Sequence, residues 1–154
     1  MKLTKQTNYA VRMLMYCAST DGLARVPEIA RFYQLPEPFM TKIQQALHRA
    51  GFIETVRGRR GGMRLARPAD QIGLGEVVRR IEETFALAEC FEEGEIRCPL
   101  VTTCGLNGAL ARALEAFFAV LDEYTLADLA SNERNLNVLV QLNAMTEGLP
   151  RHDA

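Results

Sequence analysis

The chain has 154 residues, a formal net charge of −1 at pH 7 and 48% hydrophobic residues. This size and composition suit one compact domain with an appendage, or two small domains that share a core. No apolar run is long enough to cross a bilayer, and the start, MKLTKQTNYA, lacks the apolar segment of a signal peptide. We therefore expect a cytoplasmic protein, in which disulfides are disfavoured.

The small net charge hides a strong asymmetry along the chain. Residues 1–80 contain 14 Lys or Arg and 6 Asp or Glu, a formal charge of +8. Residues 81–154 contain 4 and 13, a formal charge of −9. A basic half joined to an acidic half indicates a surface for a polyanion on one side only.

The first predicted helix covers TNYAVRMLMYCAST, with Thr7 or Asn8 near its N-terminus. Its apolar positions recur at helical spacing: Ala10, Met13, Leu14 and Cys17. Because Cys17 lies on this inner stripe, we interpret it as a buried thiol that packs as a small hydrophobic side chain, and not as a ligand.

Two shorter helices and a hairpin follow. VPEIARFYQL opens with a proline, LPEP makes a turn, and FMTKIQQALHRAG ends at Gly51, which together predict a helix-turn-helix. FIETV, RGRRGG and MRLAR then predict a β-hairpin with a glycine-rich tip. A helix-turn-helix followed by a basic hairpin is a winged helix, so the predicted fold class is mainly α with a small β-hairpin.

The second helix of this motif has the pattern of a DNA-reading helix. Its inward positions are apolar: Met40, Ile43, Leu47 and Ala50. Its outward positions can hydrogen-bond base edges or neutralise phosphates: Thr41, Lys42, Gln45, His48 and Arg49. The N-terminal part of such a helix reaches the bases, which favours Phe39, Thr41 and Lys42 for readout. Phe39 suits packing inside the turn equally well, and His48 suits a plain surface position.

The hairpin is rich in arginine, with five in eleven residues: Arg57, Arg59, Arg60, Arg64 and Arg67. Arginines at a hairpin tip suit phosphate or minor-groove contacts, and the adjacent glycines allow close approach. Solvating charge is the alternative, but it accounts less well for arginines beside a helix-turn-helix in the basic half. Our candidate DNA contacts in the hairpin are Arg57, Arg59 and Arg60.

An amphipathic segment continues from Leu74 with one apolar face: Val77, Val78, Ile81 and Phe85. Further on, GALARALEAFFAVLDEYTLADLA predicts one long helix with more apolar surface than a small domain needs, which indicates self-association. The expected organisation is a DNA-binding domain, a linking helix with a cysteine loop, a dimerisation helix and a tail of unassigned order: 1–80, 81–106, 107–130 and 131–154.

Three cysteines lie in CFEEGEIRCPLVTTC with the spacing Cys90-x7-Cys98-x5-Cys104. A zinc site needs four ligands and commonly has a C-x-x-C pair, a disulfide leaves one thiol over, and buried structural thiols rarely lie among so many glutamates. Irregularly spaced soft thiolates suit an iron–sulfur cluster. The residue chemistry favours a cluster but leaves these alternatives open. In a [4Fe–4S] cluster, three cysteines leave one iron without a thiolate, and that iron is the labile one.

The chain resembles the winged-helix iron–sulfur repressors, a family that includes the cluster assembly regulator, the nitric-oxide-sensing repressor and the iron regulators of rhizobia. The resemblance lies in KLTKQTNYAVRML, VRGRRGG, GEVVRRIE and AECFEEGEIRCPLVTTCGLN, and is strongest to the rhizobial iron regulators. It implies a homodimer with crossing long helices on a pseudo-palindromic double-stranded DNA operator. It also implies that Cys90, Cys98 and Cys104 hold the cluster.

Two positions depart from this family. The assembly regulator has a histidine where this chain has Asn107, and the nitric-oxide sensor uses an aspartate of the partner's first helix where this chain has Asn8. The partner subunit's Asn8, water or a small thiol are the candidates for the fourth ligand. A weakly held iron favours iron sensing, in which the cluster-loaded dimer represses iron-uptake genes and releases DNA when iron is scarce.

Three other functions compete with iron sensing as interpretations of this sequence. A nitric-oxide or redox sensor on the same scaffold is the nearest alternative, and a metal-free DNA-binding adaptor is a more distant one. A thiol oxidoreductase is disfavoured because no C-x-x-C pair is present and no histidine lies near the three cysteines in the sequence.

Overall fold

The structure, a computed structural model, describes residues 3–92, 98–100 and 102–131. The helices are α1 (Lys5–Ala18), α2 (Val26–Tyr33), α3 (Glu37–Arg49), α4 (Leu74–Ile81), α5 (Gly105–Asp122) and α6 (Leu126–Ala130). The strands are β1 (Ile53–Val56) and β2 (Gly62–Leu65), and short 3-10 turns cover Ala69–Gln71 and Glu89–Phe91. Within these residues no helix is long and apolar enough to span a membrane. The expected C-terminal tail, from residue 132 onward, lies outside the described residues.

Helix α1 is the centre of the hydrophobic core. Its predicted inner stripe is confirmed, because Ala10, Met13, Leu14 and Cys17 are all buried. The core is completed by residues of α2, α3, the hairpin, α4 and α6. Each Leu, Ile or Phe buried in this way contributes roughly 1.5–3 kcal/mol. Burial raises the pKa of the Cys17 thiol to about 12, so this cysteine stays protonated and packs as a neutral group.

The start of α1 differs from the sequence-based expectation. The helix begins at Lys5, two or three residues earlier than predicted, because Thr4 is its N-cap and accepts a hydrogen bond from the Thr7 backbone N–H at 3.2 Å. The backbone N–H and the hydroxyl of Thr4 both donate to the Glu82 carboxylate, at 3.0 and 3.1 Å. Glu82 directly follows α4 and is only 8% exposed. The first turn of α1 is therefore tied to the end of α4.

The predicted hairpin is confirmed, with β1 and β2 antiparallel in the register Ile53↔Leu65 to Val56↔Gly62. A single bridge adds Ala24 beside Met63, with backbone hydrogen bonds of 2.9 and 2.8 Å in the two directions. A side chain at Gly62 would approach the Ala24 carbonyl oxygen to 2.6 Å, so this close approach requires glycine. The base of the hairpin is thereby fixed to the loop that follows α1.

Two predictions about the second half of the chain are wrong. Helix α4 ends at Ile81, so Phe85 lies beyond it and instead packs edge-to-face on Phe118 at 4.8 Å. The single predicted long helix is two helices, α5 and α6. The break occurs because Thr125 and Asp128 form a capping box that starts α6.

The same break is fixed by backbone pairing with the chain before α4. The Leu74 N–H donates to the Tyr124 carbonyl at 2.9 Å, and the Leu126 N–H donates to the Ile72 carbonyl at 2.8 Å. Helix α6 then packs on α1, and Leu126 is buried in the core. Helix α6 therefore belongs with the winged-helix body, whereas α5 leads away from it to the cysteines.

Candidate functional site

Helices α2 and α3 are joined by the tight turn of a helix-turn-helix, as predicted. Gln34 takes the left-handed conformation with φ 54°, and the Leu35 N–H donates to the Ala30 carbonyl at 2.8 Å. Among the residues the structure describes, Gln34 is the one non-glycine with positive φ. On α3 the apolar face is confirmed: Met40, Ile43 and Leu47 are buried and Ala50, its C-cap, is partly buried.

The predicted DNA-reading positions Phe39 to Gln45 of α3 include exposed and partly buried side chains. Lys42 and Gln45 are exposed on α3. Thr41 is partly buried, and its hydroxyl donates to the Glu37 carbonyl at 2.9 Å. Phe39 is also partly buried and packs edge-to-face on Tyr9 with ring centroids 5.8 Å apart. Lys42 and Gln45 are therefore open to solvent, whereas Phe39 contributes packing between α1 and α3.

The C-terminal end of α3 faces the rest of the body. The Nδ1–H of His48 donates to the Ile53 carbonyl at 3.1 Å, which joins α3 to the first strand of the hairpin. Arg49 is exposed and lines a cavity of about 370 Å³ together with Arg80 and Glu82 at the end of α4. These two predicted DNA contacts lie where the reading helix meets the hairpin and the chain leading to the cysteines.

The five hairpin arginines divide into two groups. Arg64 makes an ion pair with Glu54 at 2.9 Å. Arg67 makes an ion pair with Glu76 and donates to the Gln71 carbonyl at 3.0 Å. These two stabilise the stem. The other three are exposed at or next to the tip, and no ion pair or hydrogen bond to them occurs in the described part of the chain: Arg57, Arg59 and Arg60.

The sequence count of five arginines thus overstates the charge presented to DNA. Three guanidinium groups remain unneutralised on a narrow tip, which suits phosphate or minor-groove binding. Sequence spacing could have identified part of this sorting, because Glu54 and Arg64 occupy paired positions of the hairpin register. The Arg67–Glu76 pair joins the hairpin to α4 and has no such local signal.

The three clustered cysteines lie between the body and α5. Cys90 is partly buried in the turn Glu89–Phe91, Cys98 is exposed, and Cys104 is partly buried as the N-cap of α5. All are free thiols. Across the described ranges, no three Cys, His, Asp or Glu side chains are placed so that they could hold a metal ion. Residues 93–97 and 101, which include Glu93, Gly94 and Glu95, lie outside the described residues.

The donor set fits an iron–sulfur cluster chemically. Soft thiolates select such clusters, and all three thiols are free of other covalent bonds. Cys104 is the N-cap residue of the 18-residue helix α5, so its thiol lies directly at the start of that helix. Asn107 is partly buried in the first turn of α5, and Asn8 is exposed on α1. Both amides remain weak donors compared with the thiols.

A paired group that the sequence analysis missed joins α4 to α5. The Arg79 guanidinium donates to both carboxylate oxygens of Asp122, at 2.6 and 2.7 Å. It also stacks 4.1 Å above the centroid of the Phe118 ring. The hydrogen bonds from Arg79 lower the pKa of the Asp122 carboxyl and raise that of the guanidinium. A separation of 43 positions leaves no periodic signal for this pair in the sequence.

Helix α5 contrasts with the body, because none of its residues is buried. Leu106 is 64% exposed, and Leu100 in the cysteine segment is 61% exposed. A cavity of about 460 Å³ lies between α4, the turn at Cys90 and α5, and is lined by Phe91, Leu114 and Phe118 among others. The apolar surface of α5 is thus largely uncovered within one chain.

Comparison with known proteins identifies the family. Residues 3–132 match the model of the Rrf2 family, described as iron-dependent transcriptional regulators. The chain is 60% identical over 143 residues to protein aau3 of Rhizobium meliloti, covering 92% of this chain and 93% of that one. It is 41% identical over 142 residues to the HTH-type transcriptional regulator NsrR of Oceanobacillus iheyensis, covering 91% and 97%.

A solved structure supports the fold. The structure of CymR, the global cysteine regulator of Bacillus subtilis, matches with a TM-score of 0.64 and 26% identity, covering 85% of this chain and 97% of that one. The family relatives are transcriptional regulators and not enzymes, so the sequence-based exclusion of a thiol oxidoreductase is confirmed. The winged-helix body, its unpaired arginine tip and these matches agree: the chain belongs to the Rrf2 family of DNA-binding transcriptional regulators.

Proposed function

We propose that the chain is an iron-responsive repressor of iron-uptake genes, which binds its operators as a homodimer while it carries an iron–sulfur cluster. The observation that carries this proposal is the set of three free thiols, Cys90, Cys98 and Cys104, between the DNA-binding body and α5. The description of the matching family as iron-dependent regulators supports it.

The three thiols differ in ways that suit a sensor. Cys104 is partly buried at the start of α5, and Cys90 is partly buried in a turn beside the apolar cavity. Cys98 is exposed to solvent and precedes Pro99. When bound, a [4Fe–4S] cluster held by three thiolates supplies one weakly held iron, which water, a small thiol or the partner subunit's Asn8 completes. Loss of that iron is the proposed signal of iron scarcity.

The cysteine segment is connected to the reading helix through the body. Glu82 begins the chain from α4 to Cys90, and it accepts both hydrogen bonds from Thr4 at the start of α1. Helix α1 in turn packs on α3 through Tyr9 and Phe39. A change in the cysteine segment therefore reaches the reading helix through contiguous contacts. Such a segment acts as a switch if its two states differ in DNA affinity.

The proposed DNA surface combines α3 with the hairpin tip. Lys42 and Gln45 read the major groove, and Arg57, Arg59 and Arg60 contact phosphates or the minor groove. Phe39 and Thr41 support the start of α3 and approach the same groove, while His48 and Arg49 meet the flanking backbone. Two copies joined through the uncovered face of α5 would present two such surfaces to a pseudo-palindromic operator.

A nitric-oxide or redox sensor is the second candidate function, favoured by one observation. Cys98 is exposed, so a ligated sulfur at this position is open to attack by small oxidants. The two functions differ in order of response. An iron sensor releases DNA on chelation, whereas a nitric-oxide sensor releases DNA at low nitric oxide and resists chelators. A metal-free adaptor would respond to neither.

The test is an anaerobic gel shift on iron-uptake promoters with purified protein. We expect wild-type protein to be brown and to bind, and Cys98→Ala to be pale and to bind at least tenfold more weakly. Cys17→Ala is the matched control, because this thiol is buried in the core. It should keep colour and binding. A colourless wild-type protein after reconstitution, or full binding by Cys98→Ala, would contradict the proposal.

A further inference from the structure

Helix α5 is attached to the body at one end. At Asp122 it is paired with Arg79 of α4, and directly after it the Tyr124 carbonyl accepts from the Leu74 N–H. Phe118, one turn earlier, contacts Arg79 and Phe85. Towards its N-terminus, no hydrogen bond or ion pair from another described element reaches the helix.

The attachment is a three-residue group, Gly75, Arg79 and Asp122, which we name the α4–α5 clamp. Its two parallel hydrogen bonds fix the carboxylate in the plane of the guanidinium, and stacking on Phe118 fixes that plane relative to α5. Gly75 lies one turn before Arg79 on α4. A Cβ atom there would overlap Asp122 Oδ1 and lie 2.9 Å from Arg79 Nη1, so a side chain at this position would displace the paired groups from this geometry.

We infer that the α4–α5 clamp sets the angle between α5 and the winged-helix body, and thereby selects the half-site spacing of the operator. This inference rests on the proposed homodimer through α5. The three clamp residues are positioning residues that act on DNA through the placement of the two reading helices.

A small change in the angle between α5 and the body produces a large displacement at the far end of α5. Helix α5 has 18 residues and is therefore about 27 Å long. A tilt of about 10° at the clamp moves its far end by about 5 Å, compared with a rise of about 3.4 Å per base pair. Because both subunits carry the clamp, the displacement occurs twice in a dimer. A loosened clamp is thus sufficient to shift or broaden the preferred spacing by a base pair or more.

The α4–α5 clamp restrains the orientation of α5 more than it contributes to the free energy of folding. The side chains of Arg79 and Asp122 are 43% and 48% exposed, and exposed ion pairs contribute little to folding. Their bidentate geometry still restrains orientation. We therefore expect clamp variants to fold and dimerise normally, and to bind a single half-site as wild type does. The altered property is discrimination between spacings.

The experiment uses cluster-loaded protein and DNA duplexes. Wild-type protein selects its operator from a randomised duplex library, and the centre of that operator is then lengthened or shortened by one and two base pairs. We expect wild type to prefer the selected spacing at least tenfold over its neighbours. Asp122→Asn, Arg79→Lys and Gly75→Ala should each reduce this preference to about threefold or less.

Two matched controls should keep the wild-type preference. Glu54→Gln breaks another exposed arginine–carboxylate pair, that of Arg64, outside α4 and α5. Gly73→Ala adds the same methyl group two residues from Gly75, where the nearest heavy atom is the Glu76 Cβ at 3.9 Å. Sedimentation and thermal melting verify that every variant is a folded dimer. If Gly75→Ala fails to fold, Asp122→Asn and Arg79→Lys decide the outcome.

The outcomes separate this inference from the function on which it rests. If wild type selects no two-fold operator, the proposed function fails. If wild type selects one and the clamp variants keep its spacing profile, the inference is wrong and the proposed function stands. Loss of preference in the controls as well as in the clamp variants would also overturn the inference, because the effect would then not belong to the clamp.

Discussion

The winged-helix body and helix α5 differ in how far their apolar side chains are buried. The body buries its apolar side chains within the chain, in one core around α1, whereas the 18 residues of α5 include none that is buried. The formal charges divide in nearly the same way, +8 for residues 1–80 and −9 for residues 81–154. The body is therefore specified by its own sequence. The apolar surface of α5, next to the three thiols, is largely uncovered within one chain.

This comparison explains where a switch can be placed. A rigid core transmits a displacement but has little freedom to create one. A segment with few internal contacts has low local stability and responds to a ligand or a partner. The polar contacts between the two regions include the Thr4 hydrogen bonds to Glu82 and the Arg79 ion pair with Asp122. Variants in each region and at their junction can test this division.

The largest expected effect separates two leucines. Leu14→Ala should lower the free energy of unfolding by about 3 kcal/mol, because it removes a fully buried side chain of α1 and leaves a cavity. Leu100→Ala, in the exposed cysteine segment, should lower it by less than about 0.5 kcal/mol. Urea denaturation of the metal-free protein measures both. A comparable loss for both variants would break the comparison between the two regions.

The next effect concerns the hairpin tip. Replacing Arg59 and Arg60 together by Ala should weaken binding to all DNA sequences and reduce the slope of log K against log salt by about 2. Arg64→Ala should leave the slope nearly unchanged, because Arg64 is paired with Glu54 in the stem. Fluorescence anisotropy over a salt series measures the slopes. Equal flattening by both variants would show that the tip and the stem are not functionally distinct.

A smaller effect is expected at the junction. Thr4→Ala removes the N-cap of α1 and leaves Glu82 without its hydroxyl donor, which should cost about 1 kcal/mol of stability. Thr4→Ser keeps the cap and should be close to wild type. Thermal unfolding of both variants provides the measurement. An unchanged melting temperature in Thr4→Ala would mean that the Thr4 hydroxyl, as N-cap and as donor to Glu82, adds nothing to stability.

The smallest effect is a pH dependence of stability. Hydrogen bonds from Arg79 and from Thr125 lower the pKa of Asp122 and of Asp128 below the ordinary value of 3.8. Their contribution is therefore present above that value and is lost as the pH falls through the lowered pKa. For the variant with Asn at positions 122 and 128, the free energy of unfolding should fall less steeply below about pH 4 than it does for wild type. Parallel acid profiles for wild type and variant would contradict the assignment.

Local patterns were sufficient for most of the body. The stripe of α1, the turn before α3 and the glycine-rich hairpin all depend on residues close in sequence, and all three are confirmed. The break between α5 and α6 was missed because apolar periodicity runs across it. The Thr125 capping box was a visible signal that this periodicity outweighed.

Long-range pairing could not be predicted in the same way. Thr4 and Glu82 are 78 positions apart, and Arg79 and Asp122 are 43 apart, so no helical or strand period connects them. Such pairs become apparent only once the helices are packed. The same holds for the arginines: Arg57 and Arg67 were both counted as hairpin charges, but of these two only Arg67 is in an ion pair, with Glu76 nine positions on. Composition was sufficient to predict a basic surface. Which arginines remain unpaired on it depends on the ion pairs that form in the folded chain.

The most direct test follows iron content and operator occupancy in the same anaerobic sample. A chelator is added stepwise to cluster-loaded protein bound to a labelled iron-uptake operator, and bound iron, sulfide and DNA occupancy are measured at each step. If the thiol segment controls the body, occupancy should fall in step with the loss of iron and return on reconstitution. Occupancy that stays constant after all iron and sulfide have been removed would contradict the proposed iron-responsive repressor.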